Sequence, residues 1–74
     1  MKIEFESFYQ TNLIHIFYIT RKKNFYKVRQ YQIVYDLVKI GDQYHMGKTL
    51  VDNKDFLHAL KLYDRKLKLK KLLK

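Results

Sequence analysis

The sequence predicts an α+β domain: an N-terminal antiparallel β-hairpin packed against a middle helix and a long basic C-terminal helix. Three patterns carry this reading. Residues 2–8 alternate, with Ile3 and Phe5 on one side and Lys2, Glu4 and Glu6 on the other, the period of a half-buried strand. Residues 13–20, Leu-Ile-His-Ile-Phe-Tyr-Ile-Thr, are β-branched and aromatic almost throughout. Such a run fits a strand buried on both faces. Residues 53–73 place Phe56, Ala59, Leu60, Tyr63 and Leu67 at helical spacing, which makes one apolar stripe.

The first two segments pair through a short turn at 9–12, Tyr-Gln-Thr-Asn. A charged break, Arg21-Lys22-Lys23-Asn24, follows. Residues 25–40 carry conflicting signals. Their Tyr, Val and Ile content favours a strand, whereas Arg29, Gln32, Asp36 and Lys39 recur at spacings of 3, 4 and 3, a helical stripe. Asn24 stands where an N-cap belongs and Gly41 where a C-terminal glycine belongs. The period decides for a helix over 25–40; the alternative is a strand broken near Gln30–Gln32, giving a β-meander. Residues 41–52 read as a loop with a short extended piece at 48–51. In the last segment Asp52 or Asn53 caps the helix, and Asp55 sits in the first turn, where an acid suits the helix dipole.

Size and composition narrow the function. The chain has 74 residues and no cysteine, so it is a single domain, 1–74, with neither a disulfide framework nor a thiolate metal site. A domain this small buries only about 60% of its unfolded surface. That raises the expectation of a partner or a second copy. Neither a signal peptide nor a membrane-spanning run is expected, since the apolar stretch Leu13–Ile19 is far below the roughly 20 residues a bilayer demands. An intracellular location follows as an expectation, and membrane binding is disfavoured.

Motifs for catalysis and cofactors fail on spacing. Gly41 and Gly47-Lys48-Thr49 are separated by five residues, where a phosphate-binding loop requires four. His15, His45 and His58 form no i, i+4 pair; Asp55 and His58 share a helix face, but one such pair is common by chance. Ser7 is the only serine, and no spacing rule links it to His15 and an Asp. The expectation is a non-enzyme with no catalytic residues, no metal and no cofactor.

Charge is the informative signal. Lys plus Arg number 16 against 7 Asp plus Glu, a net charge of +9. Lys54, His58, Lys61, Arg65 and Lys68 recur at 4, 3, 4 and 3 along the C-terminal helix, forming a basic face that attracts polyanions. Arg21, Lys22 and Lys23 make a second cluster, with Tyr18, Phe25, Tyr26 and Tyr31 nearby as stacking surfaces. Lys outnumbers Arg 13 to 3, which argues for phosphate and shape contacts over base readout and slightly favours RNA. The expected function is nucleic-acid binding, as a ribonucleoprotein component or dimer. The alternative is a small adaptor or inhibitor, for example virus-encoded. It would dock through a second apolar line on the same helix, Leu62, Leu69 and Leu73.

Overall fold

The computed structural model describes residues 1–72. Six antiparallel strands form one sheet in sequence order, and a helix follows. The strands are β1 (Lys2–Glu6), β2 (Ile14–Arg21), β3 (Tyr26–Gln30), β4 (Ile33–Ile40), β5 (Gln43–Met46) and β6 (Thr49–Leu50); the helix is α1 (Lys54–Leu72). This is the α+β class with the expected hairpin and terminal helix. Among the described residues, no helix is long and apolar enough to cross a membrane.

The middle helix expected over 25–40 is absent, and β3 and β4 take its place. Gln30 pairs with Ile33, so Tyr31-Gln32 is a two-residue hairpin turn. Tyr31 has φ 57° and is the only one of the two turn residues with positive φ, the sign pattern of a type II′ turn. The other two-residue turns, Gly41-Asp42 and Gly47-Lys48, show the same pattern with glycine first. A glycine tolerates that conformation; a tyrosine is strained in it. The polar spacing of 3, 4 and 3 arises because the turn shifts the phase of two strands. Arg29 and Asp36 lie on one sheet face, Gln32 is in the turn, and Lys39 lies on the opposite face.

Two details of the hairpin also differ. The loop between β1 and β2 has seven residues, 7–13, rather than four, closed by the Ser7 amide donating to the Leu13 carbonyl at 2.8 Å. In addition, β2 is buried on one face only. Phe17 and Ile19 are buried, while Ile14, Ile16 and Tyr18 are exposed.

Helix α1 covers one face of the sheet. Its stripe of Ala59, Leu60 and Tyr63 packs onto Ile3, Phe17, Ile19, Tyr26, Val28, Leu37 and Tyr44, with Phe56 and Leu67 at the margins. Asn53 is the N-cap: its side-chain oxygen accepts from the Phe56 amide at 3.1 Å. The Tyr9 hydroxyl accepts from the Lys54 amide at 3.0 Å, satisfying a further unpartnered donor of the first turn.

Nothing stands within 4 Å of a Cβ added at Gly41, so substitution there tests backbone conformation alone. Gly41→Ala is expected to lower unfolding free energy by about 1 kcal/mol, and Gly41→Asn by less. Urea titration checks this; equal stability of Gly41→Ala and the parent would contradict the turn assignment.

Candidate nucleic-acid interface

Two carboxylates on α1 fix the helix, and thereby the site, against the sheet. The first is Asp55, only 4% exposed. Its Oδ1 accepts from the Phe8 amide at 2.8 Å, and its Oδ2 from the Ser7 hydroxyl at 2.6 Å and from His15 Nε2 at 2.8 Å. Gln30 donates to His15 Nδ1 at 2.9 Å, which leaves the imidazole proton on Nε2, directed at Asp55. Burial raises the Asp55 carboxyl, but the Phe8, Ser7 and His15 hydrogen bonds together hold it below the ordinary value of 3.8.

Ser7, His15 and an aspartate thus do meet, in an order unlike that of a nucleophilic triad. The carboxylate lies between serine and histidine, so the Ser7 hydroxyl donates to Asp55 and not to the imidazole. The Ser7 oxygen accepts from the amides of Tyr9 and Gln10. The cluster closes the β1–β2 loop over the helix start.

The second carboxylate is Asp64. It accepts from the Tyr26 hydroxyl at 2.9 Å, from the Tyr44 hydroxyl, and from Lys39 Nζ at 3.2 Å. Burial raises this carboxyl too, and the Tyr44, Tyr26 and Lys39 contacts outweigh it, holding Asp64 low. Burial and the hydrogen bond to Asp64 push the Tyr26 phenol up to about 12. The same two causes push Tyr44 up as well. Both phenols stay protonated and donating across the physiological range.

Above this triad lies an open cleft of about 710 Å³ between α1 and the sheet. Its walls carry Arg21, Lys61, Arg65 and Lys68, besides Lys39 and the carboxylates Asp42 and Asp64. The structure therefore brings Arg21, from the first basic cluster, to Lys61, Arg65 and Lys68 of the helix. Among the described residues none of these four is ion-paired. Arg21 also stands 5.9 Å from the centre of the Tyr26 ring, within cation–π range. Lys61 lines a second, shallower hollow together with Lys54, Phe8 and Tyr9, so the basic surface runs from Lys54 along the helix into the cleft.

The remaining expected residues fall elsewhere. Lys22 and Lys23 are exposed in the 22–25 loop, outside the cleft lining. His58 is half-buried, its ring edge-on to Phe5 at 4.7 Å and Phe8 at 5.0 Å; it lies outside the cleft and lines the second hollow beside Lys54 and Lys61. Leu62 is half-buried against the core, and Leu69 is exposed. Leu73 lies outside the described residues.

Sequence spacing gave no sign of Lys39, Tyr26, Tyr44 or Asp64 as one group. They meet across strands: Lys39 pairs with Tyr44 and Tyr26 with Leu37. No family model matches the chain, and no curated protein or solved structure is significantly similar to it.

The two anchors predict acid sensitivity with a definite sign. Both carboxyls are held low in the folded protein, so their stabilisation is complete above the ordinary carboxylate value and is lost as pH falls through the depressed folded values. Unfolding free energy is expected to decline below about pH 4. Asp55→Asn is expected to cost about 2 kcal/mol at neutral pH and to flatten the acid limb. An acid limb unchanged in both Asp55→Asn and Asp64→Asn would rule out the anchoring role.

Proposed function

We propose that this protein is a small, non-enzymatic nucleic-acid-binding protein that grips the phosphate backbone in the cleft beside α1. The carrying observation is the convergence of Arg21 with Lys61, Arg65 and Lys68, which follow it by 40 to 47 positions in sequence, on one concave surface. Five cations stand against two carboxylates, Asp42 and Asp64, in the cleft walls, and a concave surface of net positive charge focuses potential and concentrates polyanions. Lys61 and Lys68 contact phosphates as point charges and Arg21 and Arg65 as forked donors, and shape supplies what selectivity there is. Structured RNA, recognised through backbone and 2′-hydroxyl groups, is the favoured ligand. Asp64 does not oppose this use, because two phenols and Lys39 already occupy its oxygens.

The competing reading, docking of a protein on the leucine line of α1, has weaker support. Leu62 packs against the protein's own core.

Four phosphate contacts on a duplex-like ligand correspond to a slope of about −3.6 in log affinity against log salt. Lys61→Glu and Arg65→Glu are each expected to weaken binding of a short RNA about tenfold or more and to flatten that slope. Leu69→Asp is expected to change affinity less than about twofold. Fluorescence anisotropy at several salt concentrations measures all three. Affinity unaffected by salt, or by both charge reversals, would refute the proposal.

A further inference from the structure

The sheet face turned away from α1 is uncovered. Strand register places on it Lys2, Glu4 and Glu6 from β1; Ile14, Ile16, Tyr18 and Thr20 from β2; and Lys27 and Arg29 from β3. Val34, Asp36, Val38 and Ile40 from β4 join them. Six of these are large apolar residues between 37% and 61% exposed: Ile14, Ile16, Tyr18, Val34, Val38 and Ile40. Solvated faces of antiparallel sheets normally alternate to polar residues. An apolar surface of this extent, rimmed by charge, marks an interaction site.

Charge identifies the occupant. On β1 to β4 this face carries three cations, Lys2, Lys27 and Arg29, and three carboxylates, Glu4, Glu6 and Asp36. It is neutral in a chain of net charge +9. A polyanion gains nothing here, since carboxylates stand among the cations. Two copies of a strongly basic chain repel each other on most approaches, and a neutral apolar face is where they can meet. Acids on β1 and cations on β3 flank the apolar row of β2, so each copy carries both halves of a charge match, as a two-fold interface requires. The extents of the molecule are 36 × 32 × 23 Å, and a helix layer on a sheet layer, stacked about 10 Å apart, accounts for the short one. One broad side therefore offers the roughly 800 Å² per partner that a stable interface buries.

Tyr31 supplies an independent observation. It occupies a left-handed turn position at φ 57°, where the two equivalent turns use glycine, and it is 70% exposed. Its side chain lines a shallow hollow on this face with Ile14, Ile16, Tyr18 and Arg29. Arg29 lies over the Tyr18 ring at 4.7 Å. Backbone strain that keeps an exposed aromatic ring beside an apolar patch points to a contact made there.

We infer that the protein forms a symmetric dimer by packing this open sheet face against the same face of a second copy. Helix α1 and the basic cleft then lie on the outside of the pair, two clefts per dimer.

The test is the mass of nucleic-acid-free protein in high salt, by sedimentation equilibrium up to about 0.1 mM chain, a range that captures micromolar association. The expected result is twice the chain mass of 9.2 kDa. Ile16→Asp and Val38→Asp are each expected to weaken association tenfold or more while keeping the helical circular dichroism of the parent. Lys61→Glu should leave the mass unchanged. Two outcomes overturn the inference: a monomeric parent, or a dimer that survives both face substitutions in folded variants. If the parent is monomeric and Ile16→Asp abolishes RNA binding, the face is a nucleic-acid platform and the dimer is refuted. Because no nucleic acid is present in the mass measurement, its failure is separable from failure of the binding proposal.

Discussion

One helix must serve a six-stranded sheet, and everything else in this protein follows from how that helix is held. An α-helix is about 10 Å across, so it covers the sheet on one face. Asp55 and Asp64 determine its rotation. They are nine residues apart, which at about 100° per residue puts them half a turn from each other, on the two flanks of the Ala59–Leu60–Tyr63 stripe. Asp55 ties one flank to the β1–β2 loop and to His15; Asp64 ties the other to Tyr26, Tyr44 and Lys39. Both are buried or half-buried carboxylates with every contact directed at their ionised form, which is the condition under which a charge can be taken out of water without a large penalty.

That rotation sets the surface. With the apolar stripe inward, Lys61, Arg65 and Lys68 stand along the flank above Asp64, where the end of β2 presents Arg21. The same geometry leaves the opposite sheet face to solvent. The molecule thus separates its chemistry by side: a basic cleft on the helical layer, a neutral apolar surface on the sheet layer. A pair of copies joined at the apolar surfaces would carry two clefts on one rigid body, which raises apparent affinity for a long polyanion without any new contact.

Much of the fold was legible in the sequence. The Asn53 cap and the stripe from Phe56 to Leu67 located α1, because helical period and capping chemistry are local. The alternation of residues 2–6 located β1 for the same reason. Residues 25–40 form two strands where the polar period predicts a helix, for a particular reason. Their turn residue, Tyr31, carries no turn chemistry, and three of the four outward positions of β4 are Val34, Val38 and Ile40, with only Asp36 polar, which blurs the alternation that a solvated strand would show. By contrast, Gly41-Asp42 and Gly47-Lys48 do announce type II′ turns, and they bracket β5 in a stretch whose polar composition resembles a loop. The helix half of the site was readable as a basic stripe. Its partners were not, since strand register, and no fixed spacing, brings Arg21, Lys39, Tyr26 and Tyr44 together with Asp64.

The most direct measurement of the central claim is a backbone amide chemical-shift map during titration with a short structured RNA. The account predicts that perturbations concentrate at Arg21, Lys39, Lys61, Arg65 and Lys68 and move together with RNA concentration. Amides of Ile16, Val34 and Val38 are predicted to stay in place. Perturbations centred on those three strand residues, or absent from both surfaces at saturating RNA, would contradict it.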